Sequence, residues 1–210
     1  MIDRRGGVRE RILDATNRLL RRYGYRRMTM AELARESGVG KGTLYLYFSS
    51  KQEVALSSID RLIEQLAVRL REIAAEQRPV AARLEAMLLA RVMYRFDHLH
   101  QDSQSLDELF AAVRPAFLGR RQRYFNLEAE ILARVLSEGR AQGMLMVDDP
   151  LETARTLLLA TNALLPYSLS PRELGNRESL AADTSRVASM MIRGLVRAGE
   201  PLRARVGEGL

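Results

Sequence analysis

The sequence predicts an all-α protein of about nine helices, and three observations carry that expectation. Apolar residues recur at spacings of three and four along most of the chain, helix starts and stops punctuate it at short intervals, and no alternating strand pattern, internal repeat or low-complexity tract interrupts it. The chain has 210 residues, 47% of them hydrophobic, which is ample for a core. The expected layout is a three-helix head over residues 1–52, a larger helical body over 53–199 and a disordered tail over 200–210.

Residues 1–7, with Gly6-Gly7, read as a frayed start. From Val8 to Arg22 the stripe Ile12, Ala15, Leu19 and Tyr23 has helical spacing, arginines fill much of the other side, and Tyr23-Gly24 stops the helix. Thr29 with Glu32 is a capping box that starts the next helix, and Ser37-Gly38 is its stop. Val39 seats the turn, and a helix of two turns follows over Lys41 to Tyr47, with Leu44 and Phe48 as its apolar anchors. Ser50 with Glu53 forms a second capping box, so a new helix begins at Lys51 and runs to about Gln77 before Arg78-Pro79. At ~1.5 Å per residue that helix is on the order of 40 Å long, enough to link head and body.

After Pro79 a helix is expected over Val80 to Leu99, with Leu84, Met87, Leu88, Arg91, Tyr94 and Arg95 on its inner side and edges. A polar loop follows at Gln101 to Ser105, then a short helix from Leu106 to Val113 ended near Arg114-Pro115, then a long one from Ala116 to Ala141 stopped at Gly143. Asp149-Pro150-Leu151-Glu152 combines an Asp cap, proline in the first turn and a box partner. The helix it starts carries Leu157, Leu158, Thr161, Leu164 and Leu165 and meets Pro166. Ser168 to Glu178 is polar, and a last helix over Leu180 to Ala198 carries Thr184, Val187, Ala188, Met191 and Leu195.

The stretch from Thr29 to Lys51 is therefore helix, tight turn, helix, and its second helix places Lys41, Thr43, Tyr45 and Tyr47 among apolar anchors. Those side chains suit phosphate and base-edge contacts. Charge points the same way: net charge is +7, and residues 1–52, with 12 Arg and Lys against 5 Asp and Glu, hold all of it. A basic head on a neutral body implies a polyanionic partner at the N-terminal end. Arginine accounts for 31 of the 33 basic residues, so part of this is a solvated arginine surface, yet both lysines, Lys41 and Lys51, fall in this one stretch.

The segment Gly38-Val39-Gly40-Lys41-Gly42-Thr43-Leu44-Tyr45-Leu46-Tyr47-Phe48-Ser49-Ser50-Lys51 resembles the DNA-binding signature of tetracycline-repressor-like (TetR/AcrR) transcriptional regulators. The match spans about Val8 to Glu53, and Gly40 departs from it where many members carry Ser or Thr. The resemblance implies an N-terminal helix-turn-helix and a C-terminal ligand-binding and dimerisation domain, acting as a homodimer on a palindromic double-stranded DNA operator. It implies a sequence-specific repressor released by a small, mostly apolar ligand. It assigns the DNA side to Thr29, Lys41, Gly42, Thr43, Tyr45 and Tyr47, with Lys51 taking a phosphate.

With that resemblance, the wide stripes of the last two long helices, Leu157, Leu158, Thr161, Leu164 and Leu165 with Thr184, Val187, Ala188, Met191 and Leu195, are expected at the dimer interface, although such stripes also suit a monomer's core. The ligand is expected among Met87, Met93, Tyr94, Phe96 and Phe110, with Phe117, Tyr124, Phe125 and Asn162, each of which also suits plain packing.

Little in the chain suggests catalysis. There is no cysteine, no glycine-rich phosphate loop and no His-Glu-x-x-His spacing, and His98 and His100 point apart on a helix. No enzyme activity, cofactor, metal or membrane partner is expected. The start of the chain lacks an apolar signal segment, so a cytoplasmic protein is expected. A helical interaction module, whose basic head binds a protein or an anionic surface without operator specificity, is the alternative. Discrimination between DNA sequences separates the two.

Overall fold

The computed structural model describes residues 4–99, 103–165 and 176–197, and the side chains of 7–98, 112–165 and 176–197. Eight α-helices and one 3₁₀ turn lie among them: α1 Arg4–Arg27, α2 Met30–Ser37, α3 Lys41–Tyr47, α4 Lys51–Ala74, α5 Val80–Leu99, α6 Ser103–Ala141, α7 Pro150–Thr161 with the turn Asn162–Leu164, and α8 Arg177–Leu195. The sole β feature among the described residues is an isolated bridge between Leu145 and Val196, flanked by Met146 N–H on the Leu195 carbonyl at 2.7 Å.

Local signals explain the head. Helix α1 includes Gly6 and Gly7 rather than starting after them, and it bends at Gly24, whose φ of 75° no side-chain-bearing residue adopts cheaply. Its stripe is Ile12, Leu13, Ala15 and Leu19, while Tyr23, expected in that stripe, is 45% exposed just before the bend. Thr29 closes the capping box on α2: its hydroxyl accepts from Glu32 N–H at 3.2 Å, and its own N–H reaches the Glu32 carboxylate at 3.0 Å. Gly38 ends α2 in the left-handed region at φ 68°, and Val39 N–H returns to the Ala34 carbonyl at 3.0 Å. Leu33, Leu44 and Phe48 then meet α1 in one core, with Val39 packed against it.

Helix α4 joins two more cores. Ala55, Leu56, Ile59 and Ile63 pack with Val113, Phe117 and Tyr124 of α6 and touch Tyr25, so this cluster sits where head meets body. Farther along, Leu66, Leu70 and Ile73 enter the main core with Leu84, Met87, Leu88, Leu132 and Leu136. Helices α7 and α8 close that core with Leu157, Leu158, Ala188 and Ile192.

Boundaries shift where long-range packing outweighs local sequence. The short helix expected over 106–113 and the next one are a single helix, α6, with Pro115 inside it. Proline removes one helix hydrogen bond, but Pro115 lies exposed, where water can serve the orphaned carbonyl, and buried Val113 and Phe117 hold the helix on either side. Helix α7 ends at Thr161 instead of running to Pro166, and α8 starts three residues earlier than expected because Asn176 caps it, accepting from Ser179 N–H at 2.8 Å. Asp149 caps α7 as expected, but Glu152 pairs with Arg155 instead of returning to the cap. Pro166, most of the 168–178 segment, His100, the side chain of Phe110 and the 200–210 tail lie outside the described residues.

Candidate nucleic-acid interface

The turn between α2 and α3 sets which side of α3 faces outward. Leu44 is fully buried and Phe48 2% exposed, so these anchors point the helix's other face away from the head core. Lys41, Gly42 and Thr43 are exposed on that face, with Tyr45 at 53% and Leu46 at 86%. Tyr47 is half-buried and packs against the head core, so the two tyrosines separate into one outward and one seated ring. Thr29 is exposed while engaged in its cap.

Gly40 begins α3 in an extended conformation, φ −65° and ψ 150°, with no side-chain cap on the helix. Gly42 has open space around the position a Cβ would take, so nothing inside the chain demands glycine there. Leu46 is absent from the residues assigned to the DNA side, since an apolar side chain carries no hydrogen-bonding signal. The 100° step of a helix turns it outward.

Lys51, expected to take a phosphate, is engaged within the chain. Its ammonium donates to the Tyr25 carbonyl at 2.8 Å and the Arg26 carbonyl at 3.3 Å, and stands 4.3 Å from the Tyr25 ring centre. The bend at Gly24 leaves those carbonyls at the end of a helical segment, where a cation is favoured. The residue thus ties the start of α4 to the end of α1. Ser50 caps α4 as expected, but the Glu53 carboxylate turns to Ser49, accepting from its N–H and its hydroxyl at 2.6 Å each. Those two hydrogen bonds hold the Glu53 carboxyl below its usual range.

Neighbouring residues of α4 grip opposite partners. Arg61 bonds Glu10 at 2.9 Å and Asp14 at 2.7 Å on α1, and Ser58 donates to Asn17. Asp60 accepts from Arg120, Arg123 and the Tyr124 hydroxyl on α6. Burial first, then the hydrogen bond and charge of Asp60, push the Tyr124 hydroxyl well up, so it remains a neutral donor.

Four of the nine residues expected around a ligand, Phe117, Tyr124, Phe125 and Asn162, do line one small cavity behind α4. Met87, Met93 and Phe96 are plain core, and Tyr94 stacks on His98 with ring centres 4.1 Å apart. The remaining lining includes Arg91, Arg95, Arg121 and Glu128, which sequence reasoning did not place at a ligand. Their signal was present: Arg91 and Arg95 stand four apart in the apolar stripe of α5. Burial alone would raise the Glu128 carboxyl, but Arg95 and Arg91 together hold it below its usual value.

The stripes assigned to a dimer interface are largely occupied within the chain. Leu157, Leu158, Thr161, Leu165, Thr184 and Ala188 are buried in its own core, with Leu164, Val187, Met191 and Leu195 partly so. The outward faces of α7 and α8 instead carry Leu159, 61% exposed, and Met190, 75% exposed. Among the described residues no helix is long and apolar enough to cross a membrane, and no group of three or more His, Cys, Asp or Glu could hold a metal ion.

Residues 12–57 match the family of bacterial regulatory proteins described as the tetR family, and these are the residues that build the head and its junction with α4. Over this stretch the chain carries a tetR-family helix-turn-helix head. Its function is that of a DNA-binding transcriptional regulator. An uncharacterized HTH-type transcriptional regulator, YfiR of Bacillus subtilis strain 168, is 28% identical over 161 residues, 72% of this chain and 74% of that protein. The HTH-type transcriptional repressor KstR of Mycolicibacterium smegmatis is 29% identical over 133 residues, 62% of this chain and 64% of that protein. The fold matches a transcriptional regulator from Cytophaga hutchinsonii with a TM-score of 0.73 at 22% identity, over 90% of this chain and 98% of that one.

Proposed function

We propose that this TetR-family regulator is a repressor that binds a pseudo-palindromic operator as a homodimer, one α3 per major-groove half-site, and is released when a small molecule enters the body. The observation that carries the reading is the outward face of α3, where Lys41, Gly42, Thr43, Tyr45 and Leu46 are exposed while Leu44 and Phe48 are locked beneath them. In this reading Lys41 takes a phosphate or a guanine, and Gly42 lets the DNA backbone come close. Thr43 and Tyr45 meet base edges or methyl groups, and Leu46 meets a thymine methyl. Thr29 and Tyr47 take phosphates from the edges, and Lys51 serves the same face by fixing the start of α4. The homodimer uses the outward faces of α7 and α8 around Leu159 and Met190, and the regulator works where its DNA is, in the cytoplasm.

The test is selection of genomic fragments on the purified protein, followed by titration of the best against a scrambled duplex at near-physiological salt. A twofold-symmetric winner, preferred by on the order of a thousandfold or more, is the expected result. Equal affinity for all sequences refutes operator recognition and leaves the basic head as an electrostatic anchor for an interaction module.

A further inference from the structure

A second cleft opens at the far end of α4 from the head, where that helix turns into α5. Its volume is about 460 Å³, and Ala74, Glu76, Arg78, Arg83 and Glu138 are among the residues that line it. The charges of the lining balance, two carboxylates against two guanidiniums. Glu76 pairs with Arg78 at 3.1 Å, and Arg83 of α5 pairs with Glu138 of α6. Arg83 is 6% exposed, yet it is not fully satisfied. A guanidinium carries five N–H groups in a fixed fork geometry. Nη1 donates to the Ala74 carbonyl at 2.7 Å and to Glu138 at 2.9 Å, and Nη2 donates to the other Glu138 oxygen. Nε is the one buried side-chain nitrogen or oxygen without a hydrogen-bond partner among the described residues. Its N–H and the remaining N–H of Nη2 lie side by side on the planar group, a fork spaced for the two oxygens of a carboxylate.

We propose that this cleft takes a zwitterionic amino acid, whose carboxylate fills the open fork of Arg83 and whose ammonium lies beside Glu76 at the end of α4. A plain anion fits less well, because Glu138 already answers the charge of Arg83 and the lining has no positive charge to spare. A ligand that carries both signs brings its own balance. Its carboxylate supplies the acceptor that the buried Nε–H lacks, and an unpaired buried donor is the costly kind of unmade hydrogen bond. Its ammonium stands at the C-terminal end of α4, the end of a helix that favours a cation, where Arg83 already donates to the Ala74 carbonyl. The site is separate from operator recognition, since the 24 residues of α4 put roughly 36 Å between it and Lys51.

The probes are the twenty common amino acids, titrated calorimetrically into the full chain. The tightest is then compared with its carboxamide, which lacks the carboxylate, and with its N-acetyl derivative, which lacks the ammonium. At least one amino acid is expected to bind, at least tenfold more tightly than either derivative. Glu76→Gln, which removes the acid beside the ammonium, is expected to weaken the amino acid at least tenfold and leave the N-acetyl derivative unaffected. Arg83→Lys keeps the charge but not the fork and gives at least a tenfold loss if it folds, and Glu76→Gln decides alone if it does not. Binding by none of the twenty, a derivative that binds as tightly as its parent, or unaltered affinity in Glu76→Gln or in folded Arg83→Lys overturns the proposal. Operator selection is scored without amino acid, so its failure refutes the regulator reading and leaves this site standing.

Discussion

Replacing Glu128 by Gln removes the one carboxylate that Arg91 and Arg95 share while keeping the volume and shape of the side chain. Glu128 is 1% exposed, and the two guanidiniums around it are 2% and 4% exposed, so water cannot replace the lost charge. Breaking a buried ion pair from one side costs about 3–5 kcal/mol. At about 2–4 °C per kcal/mol for a chain of this size, the melting temperature should fall by roughly 6–20 °C. The sign of the pH dependence follows from the lowered carboxyl. A carboxylate whose folded value lies below its unfolded value of about 4.3 stabilises fully above that pH and loses the contribution as pH falls through the folded value. The gap between wild type and Glu128→Gln should therefore be constant from pH 7 to about 5 and shrink below about 4. Calorimetric melting of both proteins across that range measures it. A variant as stable as wild type at pH 7, or a gap that does not close in acid, refutes the buried-charge account.

Gly40→Ser supplies the missing cap on α3 at a backbone conformation any residue adopts, so it should stabilise the head by about 0.5 kcal/mol, read as a raised urea midpoint. Gly139→Ala should cost about 1–3 kcal/mol in the same assay. Its new Cβ would stand 2.6 Å from Leu145 Cδ1 and 2.8 Å from Val80 Cγ1, both buried, and an unchanged midpoint would disprove that close approach. Met190→Glu, at a position 75% exposed, should leave the fold intact but shift the sedimenting mass from dimer to monomer and weaken operator binding. A mass unaffected by the substitution would place the interface elsewhere.

What was legible in the sequence is what neighbouring residues decide. The Thr29–Glu32 box, the left-handed Gly38, the Ser50 cap and the Asp149 cap act over three or four residues, and each works in the structure as its spacing implies. Illegible features depend on what the other end of the chain brings. Lys51 turned to carbonyls 25 and 26 residues away because the bend at Gly24 delivered those groups. The apolar stripes of α7 and α8 could not declare whether they faced a partner or their own core, since both environments select the same residue types. Aromatic and methionine content is ambiguous for the same reason at Met87, Met93 and Phe96, which are buried in the cores of the body. Charged residues within an apolar stripe were the better guide to the cavity. Arg91 and Arg95 can be buried only because Glu128, 37 and 33 residues away, comes to meet them.

The placement of Asp60 and Arg61 decides how an event in the body reaches the head. Consecutive residues on a helix point about 100° apart, so one turn of α4 grips α6 through Asp60 and α1 through Arg61. The grips are unequal in kind. Asp60 depends on Tyr124, whose ring forms part of the cavity wall, whereas Arg61 and Ser58 bind groups on α1 with no member in that wall. Swelling of the cavity therefore strains the α4–α6 contacts first and leaves the α4–α1 contacts whole. Lys51 reinforces the second set by holding the end of α1 from the start of α4. A displaced α4 then draws on α1, which packs on α6 as well, and through α1 on α2 and α3. In a dimer that converts a change inside each body into a change in the separation of two recognition helices, the quantity a pair of half-sites on DNA reads.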